Sequence, residues 1–192
     1  MPDDRDDDAL MVAVARGDAT AFRVLVERWA PRVEAFAGRA LGRRADAEDI
    51  VQETFVRVYR SVARYQPTGH FGAWVFRIAG NLVRQELRRR RVRGWLTGSP
   101  AVSDEAVLAS LPAPAHFDAD GPLRTAETRA TLVRALARLP DRQRLAVLLR
   151  HFEALPLRDV AAALDVSEHA AESLLARGMR ALREQLNAPR RS

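Results

Sequence analysis

The sequence predicts an all-α protein with two helical domains joined by a flexible linker. Apolar residues recur with helical spacing from Leu10 to about Arg93 and again from about Ala126 to Leu186, and no stretch shows strand-like alternation. Between these parts, Trp95 to Leu123 is rich in Pro and Gly, carries four acidic residues and has no Arg. We therefore predict an acidic tail at 1–8, a domain at 9–95, a linker at 96–125, a domain at 126–187 and a basic tail at 188–192.

Three helices are predicted in the body of the N-terminal domain. Asp18 is a plausible N-cap for the first, and Pro31 should kink or break that helix because proline lacks the N–H that a helix uses. Asp46 starts the second helix with a pattern that resembles a capping box. A Pro- and Gly-containing loop at 66–69 then leads into a long helix from Phe71 to Arg93.

Four shorter helices are predicted in the C-terminal domain. The first ends at Pro140, the second runs from Leu145 to Phe152 and the third from Leu157 to Leu164. A turn at Asp165 leads to the last helix, which is capped by a serine and runs over 167–186.

Composition excludes several classes of protein. The absence of Cys excludes a disulfide scaffold, a thiolate zinc site and a cysteine nucleophile. The four His have no metal-ligand spacing, so we predict neither a metal nor a cofactor. No apolar run approaches a membrane span, and the Asp-rich start is unlike a signal peptide, which favours a cytoplasmic protein. The net charge is +6 and every basic residue is Arg, whose fork of donors suits phosphate and guanine.

The last two predicted helices fit a helix-turn-helix. Ala161 is the small residue where two such helices cross, and apolar neighbours lock the crossing. Asp165 occupies the turn position where Gly is favoured, and polar residues from Ser167 onward begin the second helix. The same pattern fits an ordinary three-helix packing, and that alternative stays open.

An arginine cluster ends the long helix of the N-terminal domain. Residues 77–93 contain seven Arg and one acid, Glu86. A charge run is usually a solvated face. Here, however, Phe71, Trp74 and Phe76 precede it, and aromatic residues beside Arg suit single-stranded nucleic acid, where stacking is worth roughly 1–3 kcal/mol per base. Because Trp74 has core spacing, we assign it to the core and the neighbouring loop to the nucleic acid.

An acidic patch marks the start of the second helix. Asp46, Glu48, Asp49 and Glu53 could simply cap the helix and pair with Arg57 at i,i+4. They could also form a docking face for a basic partner helix. Acid–base catalysis is a third interpretation, but no neighbouring pattern indicates a pocket.

Two strings, in this order, resemble the extracytoplasmic-function (ECF) sigma factors of bacterial RNA polymerase. They are DAEDIVQETFVRVYRSVARYQPTGHFGAWVFRIAGNLVRQELRRRR and LARLPDRQRLAVLLRHFEALPLRDVAAALDVSEHAAESLLARGMRALREQL. The resemblance covers nearly all of the chain outside the tails and the linker. It implies that the N-terminal domain is sigma domain two and the C-terminal domain is sigma domain four. It also implies a non-catalytic subunit that directs core polymerase to promoters and melts the minus-ten region.

The resemblance assigns three groups of contact residues. The face that would bind the clamp helices of the polymerase β′ subunit comprises Asp46, Glu48, Asp49, Gln52, Glu53 and Arg57. The residues that would capture a flipped minus-ten base and hold the melted strand are Gln66, His70, Phe71, Trp74, Arg77, Asn81, Arg84, Arg88 and Arg89. The residues that would read the minus-thirty-five element are Arg158, Ser167, Glu168, His169, Ser173, Arg177 and Arg180. Relatives often carry basic residues where Gly80, Glu172 and Leu174 stand, so fewer phosphate contacts are expected here.

The implied partners are core RNA polymerase, through its β′ clamp helices and β flap, promoter DNA and an anti-sigma factor. Neither membrane insertion nor a small-molecule substrate is expected. The linker would thread the channel that later carries RNA, where its acids could mimic RNA charge. Two alternatives remain: a helix-turn-helix regulator with a helical sensing domain, which would bind duplex DNA by itself, and a helical enzyme built on the acidic patch.

Overall fold

Every regular element in the described part of the chain is helical. The computed structural model describes residues 5–97 and 126–187, with side chains for 5–93 and 131–187. The N-terminal helices are α1 (Asp7–Ala15), α2 (Ala19–Leu41), α3 (Arg44–Arg60) and α4 (Phe71–Thr97). The C-terminal helices are α5 (Ala126–Ala137), α6 (Asp141–Val147), α7 (Leu157–Leu164) and α8 (Glu168–Asn187). A 3₁₀ turn, Val62–Arg64, follows α3, and a π-helical turn, Leu148–Phe152, extends α6.

The all-α prediction is confirmed, and the structure corrects several predicted boundaries. Pro31 lies inside the continuous helix α2, so the predicted break is wrong. Helix α3 begins at Arg44 without a side-chain cap, so Asp46 lies in its first turn and the capping-box prediction is wrong. Helix α6 begins at Asp141, earlier than predicted, and α4 continues to Thr97, into the predicted linker. The rest of that linker lies outside the described residues.

Short side chains fix the ends of the first two helices. The carboxylate of Asp6 accepts a hydrogen bond from the amide of Ala9 at 2.6 Å, and that of Asp18 accepts one from Ala21 at 3.0 Å. Each bond satisfies an amide that the first turn of a helix leaves without a helical partner. Gly42 caps the C-terminus of α2, and its left-handed φ of 71° favours a residue without a Cβ.

The predicted solvated acidic tail is wrong for residues 6–8. Asp7 and Asp8 form the first turn of α1, where carboxylates favour the positive end of the helix dipole. Asp7 accepts from Arg28 at 2.6 Å and from the indole N–H of Trp29 at 3.0 Å. The buried residues Leu10 and Val14 supply the apolar face of α1. These contacts fasten α1 to α2.

The N-terminal core contains a chain of aromatic rings between α2 and α4. Trp29 meets Phe71 and Phe76 edge-on, with ring centroids 5.5 and 6.0 Å apart. Phe36 meets Phe76 in the same way at 5.3 Å. Buried aromatic rings contribute large apolar areas and prefer such edge-to-face contacts. This core fixes the start of α4, where the predicted nucleic-acid residues begin.

The helix-turn-helix prediction agrees with the structure in its local geometry. Asp165 caps the C-terminus of α7 with a left-handed backbone (φ 54°, ψ 56°). The amide of Ala170 donates to the hydroxyl of Ser167 at 3.2 Å, which caps α8 as predicted. Ala161 is 3% exposed and belongs to the buried core, as the small residue at the predicted crossing should.

The two domains pack against each other in this structure. Helix α7 lies along α4, and α2 contacts α5 and the π-helical turn. Arg144, which is 7% exposed, donates to the main-chain oxygen of Ala40 at 2.7 Å. Arg91 of α4 pairs with Asp141 of α6 at 2.8 Å. Charged side chains therefore contribute much of the polar contact between the domains.

Candidate nucleic-acid interface

The loop 66–70 joins the 3₁₀ turn to α4 and presents an exposed edge. Gln66 is exposed, whereas His70 is half-buried and its Nδ1 lies 3.1 Å from a carboxylate oxygen of Asp159 on α7. Phe71, although predicted to contact the minus-ten strand, is buried and belongs to the core. Trp74 is partly buried against Tyr65, with ring centroids 4.9 Å apart. The rings therefore support the loop, and its exposed polar edge remains for a ligand.

The loop is also held by Asp8, a residue of the predicted acidic tail. The amide of Gly69 donates to the Asp8 carboxylate at 2.6 Å, and the Tyr65 hydroxyl donates to the other oxygen of the same carboxylate. Burial raises the pKa of the Tyr65 hydroxyl above its usual range, and the hydrogen bond to Asp8 raises it further. The phenol therefore stays protonated and remains a donor.

Three predicted minus-ten residues follow along α4. Arg77 is exposed. Asn81 is half-buried, and its side-chain oxygen accepts a hydrogen bond from the guanidinium of Arg84. With this oxygen occupied, the amide group of Asn81 can offer its N–H donors to a ligand. Burial lowers the pKa of Arg84, and the charge of Arg142 lowers it further while Asp165 opposes both. The guanidinium of Arg84 therefore lies near the C-terminal domain.

The arginine cluster at the end of α4 divides into two kinds of residue. Arg88 and Arg89 are exposed and line an open groove of about 470 Å³ together with Arg93. Arg90 faces the opposite way: its side chain is 12% exposed, it donates to the main-chain oxygen of Leu41 at 2.6 Å, and it pairs with Asp46 and Glu86. The solvated-face interpretation and the nucleic-acid interpretation both fail for Arg90, which is structural.

The acidic patch on α3 is less uniform than its sequence indicated. Asp46 is 25% exposed and is occupied by Arg90. Glu53 pairs with Arg57 at 2.7 Å, as the i,i+4 interpretation predicted. Glu48 (paired with Arg44 at 3.1 Å), Asp49 and Gln52 are exposed and form the outermost part of the face. A shallow groove of about 150 Å³ runs between this face and α4.

The predicted minus-thirty-five residues lie mostly at the solvent-exposed front of the helix-turn-helix. The exposed members are Arg158, Ser167, Glu168, His169, Arg177 and Arg180. Ser173 is half-buried, and its main-chain oxygen accepts from Arg177 at 3.0 Å. Leu174 packs partly buried against the core, as the locking position requires, while Glu172 is exposed beside the front of α8. The front of α8 therefore offers hydroxyl, imidazole and carboxylate groups, with its cations further along.

The described residues contain neither a candidate metal site nor a candidate membrane span. No group of three His, Cys, Asp or Glu side chains among them could hold a metal ion. No helix within 5–97 or 126–187 is long and apolar enough to cross a membrane.

Comparison with known families matches both domains. The model of sigma-70 region 2 matches residues 25–93, and the model of sigma-70 region 4 matches residues 129–182. The first match spans most of α2 through α4, including the acidic patch and the arginine cluster. The second spans the helix-turn-helix. A regulator's sensing domain in the N-terminal half therefore has no support.

Known proteins resemble nearly the whole length of the chain. "RNA polymerase sigma factor NccH" of Alcaligenes xylosoxydans xylosoxydans is 33% identical over 92% of each chain. "ECF RNA polymerase sigma factor SigW" of Bacillus subtilis is 28% identical over 90% of this chain and 92% of the relative. The solved structure of CnrH in complex with the cytosolic domain of CnrY is 26% identical, with a TM-score of 0.68 over 95% of this chain and 97% of that one. The chain belongs to the extracytoplasmic-function family of RNA polymerase sigma factors.

Proposed function

We propose that the chain binds core RNA polymerase through α3, captures a flipped base of the melted minus-ten strand with the loop 66–70, and reads the minus-thirty-five element with α8. One observation supports this assignment most directly. The exposed loop continues into the exposed Arg77 and the Arg88–Arg89 groove, and the acidic face lies on the neighbouring helix. A single domain therefore offers an anionic face for a basic protein helix and a cationic face for a nucleic-acid strand.

The outermost part of the acidic face is the proposed contact with the clamp helices of β′. Glu48, Asp49 and Gln52 are its exposed members. Replacing Asp49 with Arg reverses one charge there and should weaken core binding at least tenfold, because like charges at an interface repel. Glu27→Arg is the matched control, since it makes the same reversal on the exposed face of α2. Equal core affinity of the two variants would contradict the assignment.

The proposed minus-ten contacts separate binding to polymerase from melting. Arg77→Ala and Asn81→Ala should retain core affinity and lose promoter opening, measured as permanganate reactivity of unpaired thymines. Arg23→Ala, an exposed Arg of α2 paired with Glu27, is the charge-matched control and should open promoters normally. If the Arg77 and Asn81 variants open promoters as well as the control does, the proposed contact is wrong.

Run-off transcription tests the whole proposal. Purified core polymerase is incubated with a genomic promoter library, with and without the chain. Promoter-specific transcripts should arise only when the chain is present, and the promoters recovered in this way serve the later experiments. No catalysis by the chain itself is required, because opening takes its free energy from stronger binding to the melted strand. Absence of any specific transcript across the library would refute the proposal.

We further propose that the chain acts in the cytoplasm and that an anti-sigma factor regulates it. CnrH was solved with the cytosolic domain of CnrY bound, and this chain shares its fold over almost its full length. We propose that an anti-sigma factor likewise binds this chain and holds it inactive. Addition of such a protein to the run-off reaction should abolish the specific transcript and leave transcription by other sigma factors intact.

A further inference from the structure

Asp8 connects the first helix to both ends of the loop 66–70. One carboxylate oxygen accepts from the Tyr65 hydroxyl and the other from the Gly69 amide at 2.6 Å. Tyr65 immediately precedes the loop, and Gly69 is its fourth residue. One side chain, distant in the sequence, therefore fixes the entry of the loop and the turn before α4.

The backbone at Gly69 directs its amide toward this carboxylate. Gly69 has a left-handed φ of 76°, and an added Cβ would meet no atom within 4 Å. The conformation, and not space, therefore favours glycine there. A charge-assisted hydrogen bond from an amide to a carboxylate is about twice as strong as a neutral one, which offsets the entropy that the turn loses when it is ordered.

Asp8 is itself held firmly in place. Asp6 caps α1, and the adjacent Asp7 bonds Arg28 and Trp29 of α2. The Trp29 ring packs closely against the start of α4. A Cβ added at Gly72 would come within 2.6 Å of this ring. Asp7 therefore fastens α1 to the core on which α4 begins, and Asp8 extends from that anchored turn to the loop.

We propose that Asp8 is a positioning residue for base capture, which holds the loop 66–70 in its receptive shape before the melted strand arrives. This inference rests on the proposed function of the loop. A loop ordered in advance loses little entropy on binding, so the free energy of the contacts with the base is retained as affinity. Both carboxylate oxygens of Asp8 accept hydrogen bonds from the segment 65–69, so donors occupy the negative charge on the side that faces the loop.

The test compares variants for their response to a missing base. Holoenzyme is assembled with the full chain and bound to fork templates of a promoter recovered by run-off transcription. These templates carry an abasic site at successive non-template positions of the minus-ten element. For the wild type, an abasic site at one of these positions should lower the affinity about tenfold or more, as expected for the loss of one bound base. The ratio of the affinity for the intact template to that for the abasic template is the abasic penalty. Asp8→Asn should bind the intact template about tenfold more weakly, and its abasic penalty should approach unity.

Asparagine is the informative replacement because it keeps the shape of aspartate and has only one acceptor oxygen. Asp6→Ala is the control: it removes the cap of α1 and leaves the loop contacts in place, so it should keep the full abasic penalty. Tyr65→Phe removes one of the two bonds and should give an intermediate penalty. It decides the question if Asp8→Asn does not fold. Hydrogen exchange of the Gly69 amide in the free chain should accelerate in Asp8→Asn and stay slow in Asp6→Ala.

The outcomes distinguish the two levels of the argument. A wild-type holoenzyme that ignores every abasic site overturns base capture by the loop, and the role of Asp8 with it. If the wild type shows an abasic penalty and the Asp8→Asn and Tyr65→Phe variants show the same penalty, the role of Asp8 is overturned and base capture by the loop is not. If Asp6→Ala loses discrimination as fully as Asp8→Asn does, the effect belongs to the stability of α1 and the positioning role is refuted.

Discussion

Arg32 of the N-terminal domain donates twice to Glu153 of the C-terminal domain. Its Nε lies 3.2 Å from a carboxylate oxygen, and its Nη2 lies 3.0 Å from the main-chain oxygen. Arg39 approaches the other carboxylate oxygen at 3.7 Å, and Arg32 also stacks over the ring of Trp29. Since Trp29 supports the start of α4, the same arginine contacts both the domain interface and the core beneath the proposed minus-ten loop.

We expect Arg32→Ala to loosen the packing of the two domains. The side chain of Arg32 is 39% exposed, so the loss should be roughly 1 kcal/mol, about a fivefold fall in the closed-to-open ratio. Small-angle X-ray scattering at low salt should show a larger radius of gyration than for the wild type. Arg23→Ala on the same helix should leave the radius unchanged, and equal radii for the two variants would contradict the prediction.

Replacing Arg90 should destabilise the N-terminal domain, whereas replacing the exposed Arg88 of the same cluster should leave its stability nearly unchanged. Arg90→Met leaves the main-chain oxygen of Leu41 and the carboxylates of Asp46 and Glu86 without their shared donor. The expected loss is about 2 kcal/mol or more in the free energy of unfolding. Arg88→Met, at an exposed position, should stay within about 0.5 kcal/mol of the wild type. Urea denaturation measures both, and coincident midpoints would show that Arg90 is not structural.

Replacing two helical glycines with alanine should change the stability of the protein in opposite directions. A Cβ at Gly178 of α8 would lie 2.9 Å from Val147 and 3.3 Å from the main-chain oxygen of Gln143, which cannot move easily. Overpacking costs about 1–3 kcal/mol, so Gly178→Ala should lower the melting temperature. A Cβ at Gly80 of α4 meets nothing within 4 Å, so Gly80→Ala should stabilise by about 0.5–1 kcal/mol through helix propensity. Melting temperatures that shift in the same direction for both variants would contradict this prediction.

A cation at the front of α8 should strengthen binding to the minus-thirty-five element. Glu172 is exposed one turn into that helix, and Glu172→Arg should add one phosphate contact. The slope of log affinity against log salt should steepen by about 0.9. Glu184→Arg makes the same charge change near the other end of α8 and should leave the slope nearly unchanged. Equal steepening in both variants would indicate a non-specific charge effect.

The helix-turn-helix was predictable because its signals are local. The left-handed turn at Asp165 and the cap at Ser167 depend on residues within a few positions of each other. The sigma strings also placed the acidic patch and the exposed Arg77 on the surface. Their functional roles remain predictions, since charge and exposure alone do not identify a partner.

Long-range contacts explain what the sequence did not predict. The run of Asp residues predicts a solvated tail at Asp8, yet its partners Tyr65 and Gly69 lie 57 and 61 positions away. The start of α1 itself carries a local signal, acidic residues before the apolar Leu10, that could have been recognised as a capped helix. For Arg90, periodicity gave no means to distinguish the side of α4 that faces Asp46 from the side that faces solvent.

The docking of the two domains has a consequence for how strong their contacts need to be. Because the segment 98–125 connects them covalently, each domain experiences the other at a high effective concentration, which for linked domains can reach roughly millimolar order. A contact such as the pair between the partly exposed Arg32 and the buried Glu153 can then contribute to keeping the domains together. Separate polypeptides would have to make the same contacts at the lower concentration of free chains, so a single cut in the connecting segment should shift the packed pair toward separate domains.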